Sequence, residues 1–475
     1  MSSQSQGPVR TRRQRHKPES RQDSRPPHPH KSRKLLGAFS AVVLAGAAVV
    51  AASGPAAAEQ EDNYTVVLKD NVTNVDSTAA AQGKKYGFTL SSTYEHALKG
   101  YSGTMTAAEE AQLGADPTVD FIAPEREFTL AEDQAADNQP PAVTGFLPTW
   151  WQRVGGTPRE AAKDGQEISV NTAVIDSGID ATHPDLNVVG GVDCSSGTAV
   201  EVTPVDRNGH GTMVAGVLAA KNNTFGVIGT AYGAPLWSVR VMTDAGTISE
   251  AALLCAADWV VSTRTDANPQ NDIQVANISI GGPGQDQGNC GNGVDALHKM
   301  ICQGSAEGVA WTVAAGNAAA DLANTIPATY DEVLTATAMA DYDGRPGGKA
   351  TPICSGGSVP SPDDQFANFS NFATQPADLA HTVAGPGVCI TSTYPGGLYN
   401  TAHGTSFSSP AVAGSVARCI YSGVCQGDGQ SVMKQFLAAV EAYNNDHSRY
   451  GFIGDPLRPA TGKYYGYLTT TALFD

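Results

Sequence analysis

Four short segments rich in glycine and small residues occur in one order along this 475-residue chain. They are Thr172–Asp180 (TAVIDSGID), Asn208–Gly216 (NGHGTMVAG), Thr312–Asn317 (TVAAGN) and His403–Gly414 (HGTSFSSPAVAG). Each adjoins an apolar run and carries one reactive or hydrogen-bonding side chain. Because sites in open α/β sheets are built where strands end and helices begin, the segments predict a fold in which four distant parts of the chain meet.

The first two segments supply a carboxylate and an imidazole. Val170–Ile175 is apolar and β-branched, which is typical of a buried parallel strand, and Asp176 follows at its carboxyl end. His210 lies between two glycines and opens a run suited to a helix, whose dipole disfavours the cationic imidazole and leaves it able to accept a proton. Taken singly, Asp176 could cap a turn, and His210 could be a capping histidine.

The last two segments supply an amide and a hydroxyl. Asn317 follows the strand-like run Gly308–Ala315 and offers a side-chain donor to an oxyanion. Ser406 opens the apolar run Phe407–Ile420, so backbone N–H groups face whatever its Oγ attacks. Alone, Ser406 is an N-cap candidate and Asn317 a turn residue. Together, Asp, His and Ser stand in one of the known chain orders of the serine-hydrolase triad.

On these motifs the chain resembles the subtilases, the subtilisin and proteinase K type of serine peptidase, over roughly residues 150–468. The resemblance implies that Asp176, His210 and Ser406 form the triad and that Asn317 is the oxyanion donor. It also implies two walls of the substrate cleft, which are Ser279, Ile280 and Gly281 on one side and Ala314, Ala315 and Gly316 on the other. The first wall would pair with the substrate backbone as an added strand. Ile280 stands where the family has leucine, and the small residues opposite predict a broad, apolar-leaning specificity.

Strand-like and helical runs alternate through the catalytic region, placed at residues 150–475. The strand-like runs are Val170–Ile175, Pro235–Val241, Ile273–Ile280, Gly308–Ala315 and Leu334–Ala338. The helical runs are Gly211–Ala220, Ile248–Arg264, Gly293–Glu307 and Ser406–Ile420. This alternation predicts an α/β fold, a mostly parallel sheet flanked by helices on both faces, as in subtilisin.

Two stretches of this region stand apart. Asp343–Asp364 is rich in glycine, proline and serine, which predicts a surface insertion that either borders the cleft or decorates its rim. Tyr450–Leu468 is expected to pack as a final ribbon without a catalytic role.

The chemistry needs no cofactor, but the resemblance implies structural calcium, whose site the sequence does not fix. Asp331 and Val333 lie where one loop site would take its oxygens. Thr382 stands where that site would need a carboxylate.

A separate module precedes the catalytic region. Its strands are predicted at Tyr64–Lys69, Phe88–Leu90, Gly100–Met105 and Val119–Thr129, with helices at Val75–Tyr86 and Thr106–Leu113. This order predicts a small ferredoxin-like α+β domain. It resembles the inhibitory propeptide of subtilases, with Phe121–Leu130 as the last strand, and the resemblance implies a folding chaperone and intramolecular inhibitor. An independent binding domain is the alternative. The propeptide is placed at residues 59–135.

The segment after this module is suited to cleavage. Ala131–Pro141 (AEDQAADNQPP) is polar and acidic, so self-cleavage is expected near its start. Residues 136–149 are placed as the linker and mature N-terminus.

The first 58 residues predict an export signal. A basic stretch expected to be disordered leads into the apolar run Leu35–Ala52 and then into Ala56–Ala58, a small-residue cleavage site. An uncleaved membrane anchor is the alternative, because the run approaches spanning length. Through Ala58 the chain carries ten Lys+Arg and two Asp+Glu, a charge of +8, so the total of −17 leaves −17 − 8 = −25 beyond it. Such an acidic body argues against nucleic-acid binding.

All eight cysteines lie at or after Cys194, and an even number in an exported chain predicts disulfides. Cys290 with Cys302 and Cys419 with Cys425 are local pairs. Elimination leaves Cys194 with Cys255 and Cys354 with Cys389, one choice among about a hundred connectivities. A metal site is the rival, but no Cys-x-x-Cys with a nearby histidine is present.

The prediction is therefore a secreted, extracellular serine endopeptidase that acts on proteins or peptides and is made as a self-inhibited precursor. It is expected to be a monomer, with no membrane attachment once the leader is removed. Two rivals remain: a binding protein of the same fold without catalysis, and a different hydrolase such as an esterase.

Overall fold

The computed structural model describes residues 60–131, 133–136, 147–156, 167–354 and 361–474. The predicted leader therefore lies outside the described residues, as do positions 137–146 of the predicted linker. Within the described ranges, no helix is both long and apolar enough to span a bilayer.

The N-terminal module has the predicted β-α-β-β-α-β order. Its elements are β1 (Glu61–Leu68), α1 (Val75–Tyr86), β2 (Thr89–Tyr94), β3 (Gly100–Thr106), α2 (Ala107–Leu113) and β4 (Val119–Pro124). The four strands form an antiparallel sheet in the order β2-β3-β1-β4. Local signals fix the helices: the Asn74 side chain caps α1, and Thr106 with Glu109 forms a capping box at α2. The ferredoxin-like prediction is confirmed.

The prediction of one closing strand over Val119–Thr129 is wrong. Strand β4 ends at Pro124, which cannot donate a ladder hydrogen bond. The chain then leaves the module as β5 (Glu127–Leu130) and, beyond Ala131, as β6 (Asp133–Ala136). Both strands pair with the catalytic region, so part of the expected linker is sheet.

The catalytic region alternates strands and helices as predicted. Its strands are β7 (Thr172–Asp176), β8 (Val188–Asp193), β9 (Val200–Glu201), β10 (Leu236–Arg240), β11 (Ile248–Ser249), β12 (Val275–Ile278), β13 (Ile280–Pro283), β14 (Ala310–Ala314), β15 (Thr325–Ile326), β16 (Val333–Ala340), β17 (Gln365–Phe366), β18 (Thr382–Pro386), β19 (Ile390–Tyr394) and β20 (Leu398–His403). Its α-helices are α3 (Thr149–Arg153), α4 (His210–Ala219), α5 (Glu250–Thr265), α6 (Ala296–Ala306), α7 (Pro376–Leu379), α8 (Thr405–Tyr421) and α9 (Gly429–Asp446). Short 3-10 turns lie at Asn289–Gly293 and Leu322–Asn324.

A nine-stranded sheet forms the centre of this region, in the order β17-β16-β14-β12-β7-β10-β8-β9 with β18 also paired to β16. Strands β8, β10, β7, β12, β14, β16 and β18 pair in parallel, and β9 and β17 are antiparallel additions. Alternate residues of β7 enter different cores: Val174 packs with α4 and α8, whereas Ala173 and Ile175 pack with α5 and α6. Helices therefore cover both faces, and the predicted fold class is confirmed.

Several predicted boundaries move for local reasons. Helix α5 begins at Glu250 rather than Ile248, because Ile248–Ser249 pairs with β5 and the Ser249 hydroxyl caps the helix. Helix α6 begins after Asp295, whose side chain accepts the His298 N–H. Helix α9 was not predicted. Instead of a ribbon, the 450–468 stretch makes isolated bridges, such as Leu468 to Ala384.

Disulfide bonds join the four predicted cysteine pairs: Cys194–Cys255, Cys290–Cys302, Cys354–Cys389 and Cys419–Cys425. The third bond ties the predicted insertion to the loop before β19. Its Cys354 lies 3.8 Å from Nε2 of His403, and His403 pairs with Asp133 of β6. The described part of the insertion therefore borders the cleft on the side that follows Ala131.

Candidate active site

Asp176 lies at the carboxyl end of β7 and is fully buried. Its Oδ1 accepts the Ser177 N–H at 2.7 Å and contacts Nδ1 of His210 at 2.8 Å. A carboxylate in this position fixes the imidazole tautomer, with the proton on Nδ1, and stabilises the imidazolium. Asp176 thus lies at a strand end, as predicted, and is in contact with His210.

His210 is the first residue of α4, and glycines surround it for steric reasons. Gly209 has a φ of 106°, and a Cβ there would meet the Tyr394 ring at 2.4 Å. A Cβ at Gly211 would lie 2.1 Å from the Gly178 carbonyl oxygen. The imidazole can therefore approach Asp176 only because no side chain separates the two segments.

A second carboxylate, missed by the sequence reasoning, holds this turn. Asp206 accepts the N–H groups of Gly209 at 2.8 Å and Thr212 at 2.9 Å. Ser177 links it to the strand end, because its Oγ donates to Asp206 at 2.9 Å and accepts the Gly211 N–H at 2.9 Å. The only sequence signal was an aspartate just before Asn208-Gly209, which is ordinary turn chemistry.

Ser406 is the second residue of α8 and is fully buried. The N-cap residue of this helix is Gly404, which has a φ of 147°. Its Oγ is in hydrogen-bond contact with the carbonyl oxygen of Ala131. The neighbouring Phe407 ring lies 5.7 Å, centroid to centroid, from the His210 imidazole. Serine, histidine and aspartate therefore gather where α4, α8 and β7 meet.

Asn317 follows β14 and points its side-chain amide at the same carbonyl oxygen. Its Nδ2 donates to the Ala131 oxygen at 2.6 Å. Its Oδ1 accepts from the N–H and the Oγ of Thr405, each at 2.9 Å. Thr405 thereby sets which end of the amide faces the carbonyl.

Strand pairing places the first predicted cleft wall, whereas only one residue of the second lines a cavity beside Ala131. Strand β5 lies between β11 and β13, with Ile280 opposite Leu130 and Gly281 opposite Thr129. The Ser279 carbonyl accepts the Ala131 N–H at 3.0 Å, which completes the predicted strand pairing. On the other side, a cavity beside Ala131 is lined by Gly316. Ala314 and Ala315 are fully buried and are not among the residues that line this cavity, so their part in the opposite wall stays a prediction.

Asn371 supports that wall and was also missed. Its Oδ1 accepts the N–H groups of Ala318 and Ala320, each at 3.0 Å, and its Nδ2 donates to the Ala315 carbonyl at 2.9 Å. The loop that carries Asn317 is thus held from behind. Nothing in the run Phe369–Phe372 distinguishes this asparagine from a surface residue.

Within the described ranges, three groups of side chains are close enough to share a metal ion. Two of them contain disulfide-bonded cysteines, which have no thiolate to offer: Cys354 and Cys389 with His403, and Cys290 and Cys302 with Glu332. The third is Asp341, Asp343 and Asp363. Burial raises the pKa of Asp341 to about 7, and Arg153 pairs with it at 3.1 Å.

None of these groups includes Asp331, and the Thr382 hydroxyl donates to the Asp378 carbonyl. Structural calcium stays a prediction.

The chain matches the model of the subtilase family (Peptidase S8) over residues 165–449 and that of peptidase inhibitor I9 over residues 42–131. It is 34% identical to Subtilisin DY of Bacillus licheniformis over 252 residues, which are 52% of this chain and 76% of that protein. It is also 34% identical to Subtilisin Savinase of Lederbergia lenta, over 52% of this chain and 75% of that protein.

Two solved structures share the fold. The fervidolysin structure from Fervidobacterium pennivorans gives a TM-score of 0.62 at 20% identity, covering 87% of this chain and 60% of that one. The epidermin leader peptide processing serine protease of Staphylococcus aureus gives 0.58 at 18% identity, covering 80% and 92%. The chain belongs to the subtilase family of serine peptidases and carries an I9 propeptide module. The I9 match begins inside the predicted leader, so it does not fix where that leader ends.

Replacing Asn317 by alanine is expected to slow cleavage by about 100- to 1000-fold, the loss that removing one such donor causes in subtilisin itself. The reason is that Nδ2 reaches the Ala131 oxygen while Thr405 holds the other end of the amide. Loss of the full-length chain with time, followed by intact mass, measures the rate. Asn324→Ala, on the rim of the same cavity, is the matched control. Equal rates for the two variants would contradict the assignment.

Proposed function

We propose that this chain is a secreted serine endopeptidase made as a self-inhibited precursor, and that it cuts itself after Ala131. The observation that carries the proposal is the environment of the Ala131 carbonyl. Its oxygen contacts the Ser406 Oγ and the Asn317 Nδ2, and the chain lies as a paired strand on both sides of it. A peptide held for cleavage has the nucleophile and an oxyanion donor beside one carbonyl group.

The proposed reaction gives one role to each of four side chains. The Ser406 Oγ attacks the Ala131 carbonyl carbon while His210 takes the hydroxyl proton, and Asp176 stabilises the imidazolium. Asn317 and the Ser406 N–H hold the oxyanion. The bond to the nitrogen of the next residue breaks, and that nitrogen takes the proton from His210. Water then attacks the acyl-enzyme, giving its proton to His210, and Ser406 leaves with a proton as the Ala131 carboxylate forms.

Contacts outside the site support inhibition by the module after this cut. Strand β5 pairs on both edges, with Phe128 opposite Ile248 and Leu130 opposite Ile280. Away from the cleft, the Asp258 carboxylate of α5 accepts backbone N–H groups of the module, from His96 at 2.8 Å and Ala97 at 2.6 Å. These contacts do not involve the cleaved bond, so they persist once it is broken.

Specificity is proposed to be broad and to favour apolar residues. Among the described residues, the catalytic-domain part of the cavity beside Ala131 carries no charged side chain, and Gly281, Gly316 and Thr325 line it. Phe128, three positions before Ala131, is buried against the apolar core on the β11 side. A charged side chain beside the cleaved bond would lose hydration there without gaining a partner.

Secretion is supported by four disulfide bonds, which persist in oxidising compartments. The predicted leader of residues 1–58 adds to this. The enzyme is expected to act as a monomer on protein or peptide substrates.

Labelling with a serine-directed fluorophosphonate, followed by peptide mapping and casein digestion, tests the proposal. The expected result is one labelled site, at Ser406, and casein cut mainly after uncharged residues. A protein that neither labels nor cuts casein would instead fit a binding protein of this fold. Ester hydrolysis without casein cleavage would favour a different hydrolase.

A further inference from the structure

Arg126, five residues before Ala131, is held by two carboxylates of the catalytic domain. Its Nε donates to Oε2 of Glu250 at 2.9 Å, and its Nη2 contacts Oε1 of the same residue. Its Nη1 and Nη2 donate to the two oxygens of Asp295, at 2.8 and 2.9 Å. The planar guanidinium therefore binds both carboxylates with two hydrogen bonds each, a geometry that an ammonium group cannot reproduce.

The catalytic domain places both carboxylates at helix starts and holds the Asp295 side chain with its own groups. Glu250 is the first residue of α5, and Asp295 is the N-cap of α6. Asp295 accepts the Tyr330 hydroxyl at 2.8 Å and the His298 N–H at 3.1 Å. With Arg126 in place, 4% of the Glu250 side chain and 2% of the Asp295 side chain are exposed. Because these contacts do not depend on the propeptide, Asp295 stays in place when the propeptide leaves, and Glu250 stays at the start of α5.

Burial makes a bound cation stabilising between the Glu250 and Asp295 carboxylates. Burial raises the pKa of Glu250, although Arg126 acts in the opposite direction. Burial also opposes ionisation of Asp295, but hydrogen bonds and Coulombic attraction from Arg126 outweigh it, so the pKa of Asp295 is lowered. Two neighbouring carboxylates without a cation repel each other. Loss of Arg126 therefore leaves a place that favours another cation.

Arg126 lies in line with the strand that occupies the cleft. Its carbonyl accepts the Glu250 N–H at 3.0 Å, and its own N–H donates to Glu250 Oε2 at 2.9 Å. Residues 127–130 continue directly into the pairing with β11 and β13. A substrate that adds the same strand would place its own side chain, at the same distance from the cleaved bond, between Glu250 and Asp295.

We propose that Glu250 and Asp295 form a cation subsite that selects arginine at the sixth substrate residue before the cleaved bond. The inference rests on the proposed function and adds a substrate class to it: peptides that combine an apolar stretch next to the cut with arginine five positions upstream. Arg126 of the propeptide occupies the subsite in the precursor.

The test uses the self-processed enzyme obtained from the full chain and two quenched fluorogenic peptides. One peptide copies residues 126–136 (REFTLAEDQAA), and the other replaces its first arginine by glutamine. The kcat/KM of the arginine peptide is expected to be at least about tenfold higher than that of the glutamine peptide. The reason is that the coupling between close charge pairs in buried interfaces exceeds the free energy of a tenfold change in rate. A third peptide with lysine at this position is expected to fall between them.

Enzyme variants locate the preference. Glu250→Gln and Asp295→Asn keep side-chain shape, and asparagine remains a good helix N-cap. Each is expected to bring the ratio of the two peptides towards one by slowing only the arginine peptide. Glu441→Gln, the same chemical change on an exposed position of α9, is the control and should keep the wild-type ratio.

Titration of active sites with the fluorophosphonate distinguishes failure of the subsite proposal from failure of the proposed function. Labelled wild-type enzyme that cleaves both peptides equally would overturn the subsite and leave the proposed function standing. An arginine preference that survives in both variants would also overturn it. Enzyme that neither labels nor cleaves either peptide would overturn both proposals. If one variant does not fold, the other variant still tests the subsite, together with the ratio of kcat/KM for the two peptides on the wild-type enzyme.

Discussion

Replacing Ser406 by alanine is expected to leave the precursor whole, because the Oγ that contacts the Ala131 carbonyl is the only proposed nucleophile. The rate should fall by about a millionfold, the size of the loss that removal of this serine causes in subtilisin itself. The geometry of the complex should survive, since Asn317 and the strand pairing of β5 do not involve the hydroxyl. Uncut precursor should accumulate in a folded form.

Denaturing gels over time, with circular dichroism to confirm folding, measure this. Ser415→Ala is the matched control: it removes a hydroxyl from the same helix, but that hydroxyl donates only to the Ala411 carbonyl at 2.9 Å. The control should process at close to the wild-type rate. Self-cleavage of purified Ser406→Ala at the wild-type position would contradict the mechanism.

Replacing Asp176 by asparagine is expected to slow self-cleavage by about 10,000-fold, the loss known for the corresponding change in a serine-protease triad. In the folded chain, Oδ1 of Asp176 accepts a hydrogen bond from the Ser177 N–H and contacts Nδ1 of His210. An amide side chain can turn its NH₂ group towards His210 and so favour the wrong tautomer, which leaves no basic nitrogen for the serine. The fold should be little affected, because the side chain keeps its shape.

The rate of precursor loss, followed by intact mass, measures this effect as well. Asp180→Asn is the control, since Asp180 lies on the same segment but accepts hydrogen bonds from Thr182 and Gly396 at the surface. It should process at close to the wild-type rate. A loss of less than about tenfold for Asp176→Asn would remove Asp176 from the proposed triad.

Features coded by a few adjacent residues were predictable from the sequence. The apolar run before Asp176 and the glycines around His210 mark a strand end and a helix start, and the structure has both. The same holds for the module, where Thr106 and Glu109 form the capping box that starts α2. Such signals act within one turn or one strand, so they can be read without knowing the tertiary fold.

Features that depend on partners distant in sequence could not be predicted. Glu127–Leu130 reads like a continuation of β4, and only the two open strand edges of the catalytic domain explain why it pairs there. Asn371 is one of many polar residues until the loop of Asn317 lies against it. The acidic pair that holds Arg126 comes from two helix starts that are 45 residues apart in sequence, from 250 to 295.

Cleavage after Ala131 separates the propeptide from the enzyme, and the masses of the first products show which bond is cut. The wild-type chain and Ser406→Ala should be expressed side by side, and their products examined at early times by intact mass and N-terminal sequencing. The wild-type chain should yield a fragment ending at Ala131 and a mature chain beginning at Glu132, and the variant should yield neither. A first cut at another bond, or the same cut in the Ser406→Ala chain, would contradict this proposal.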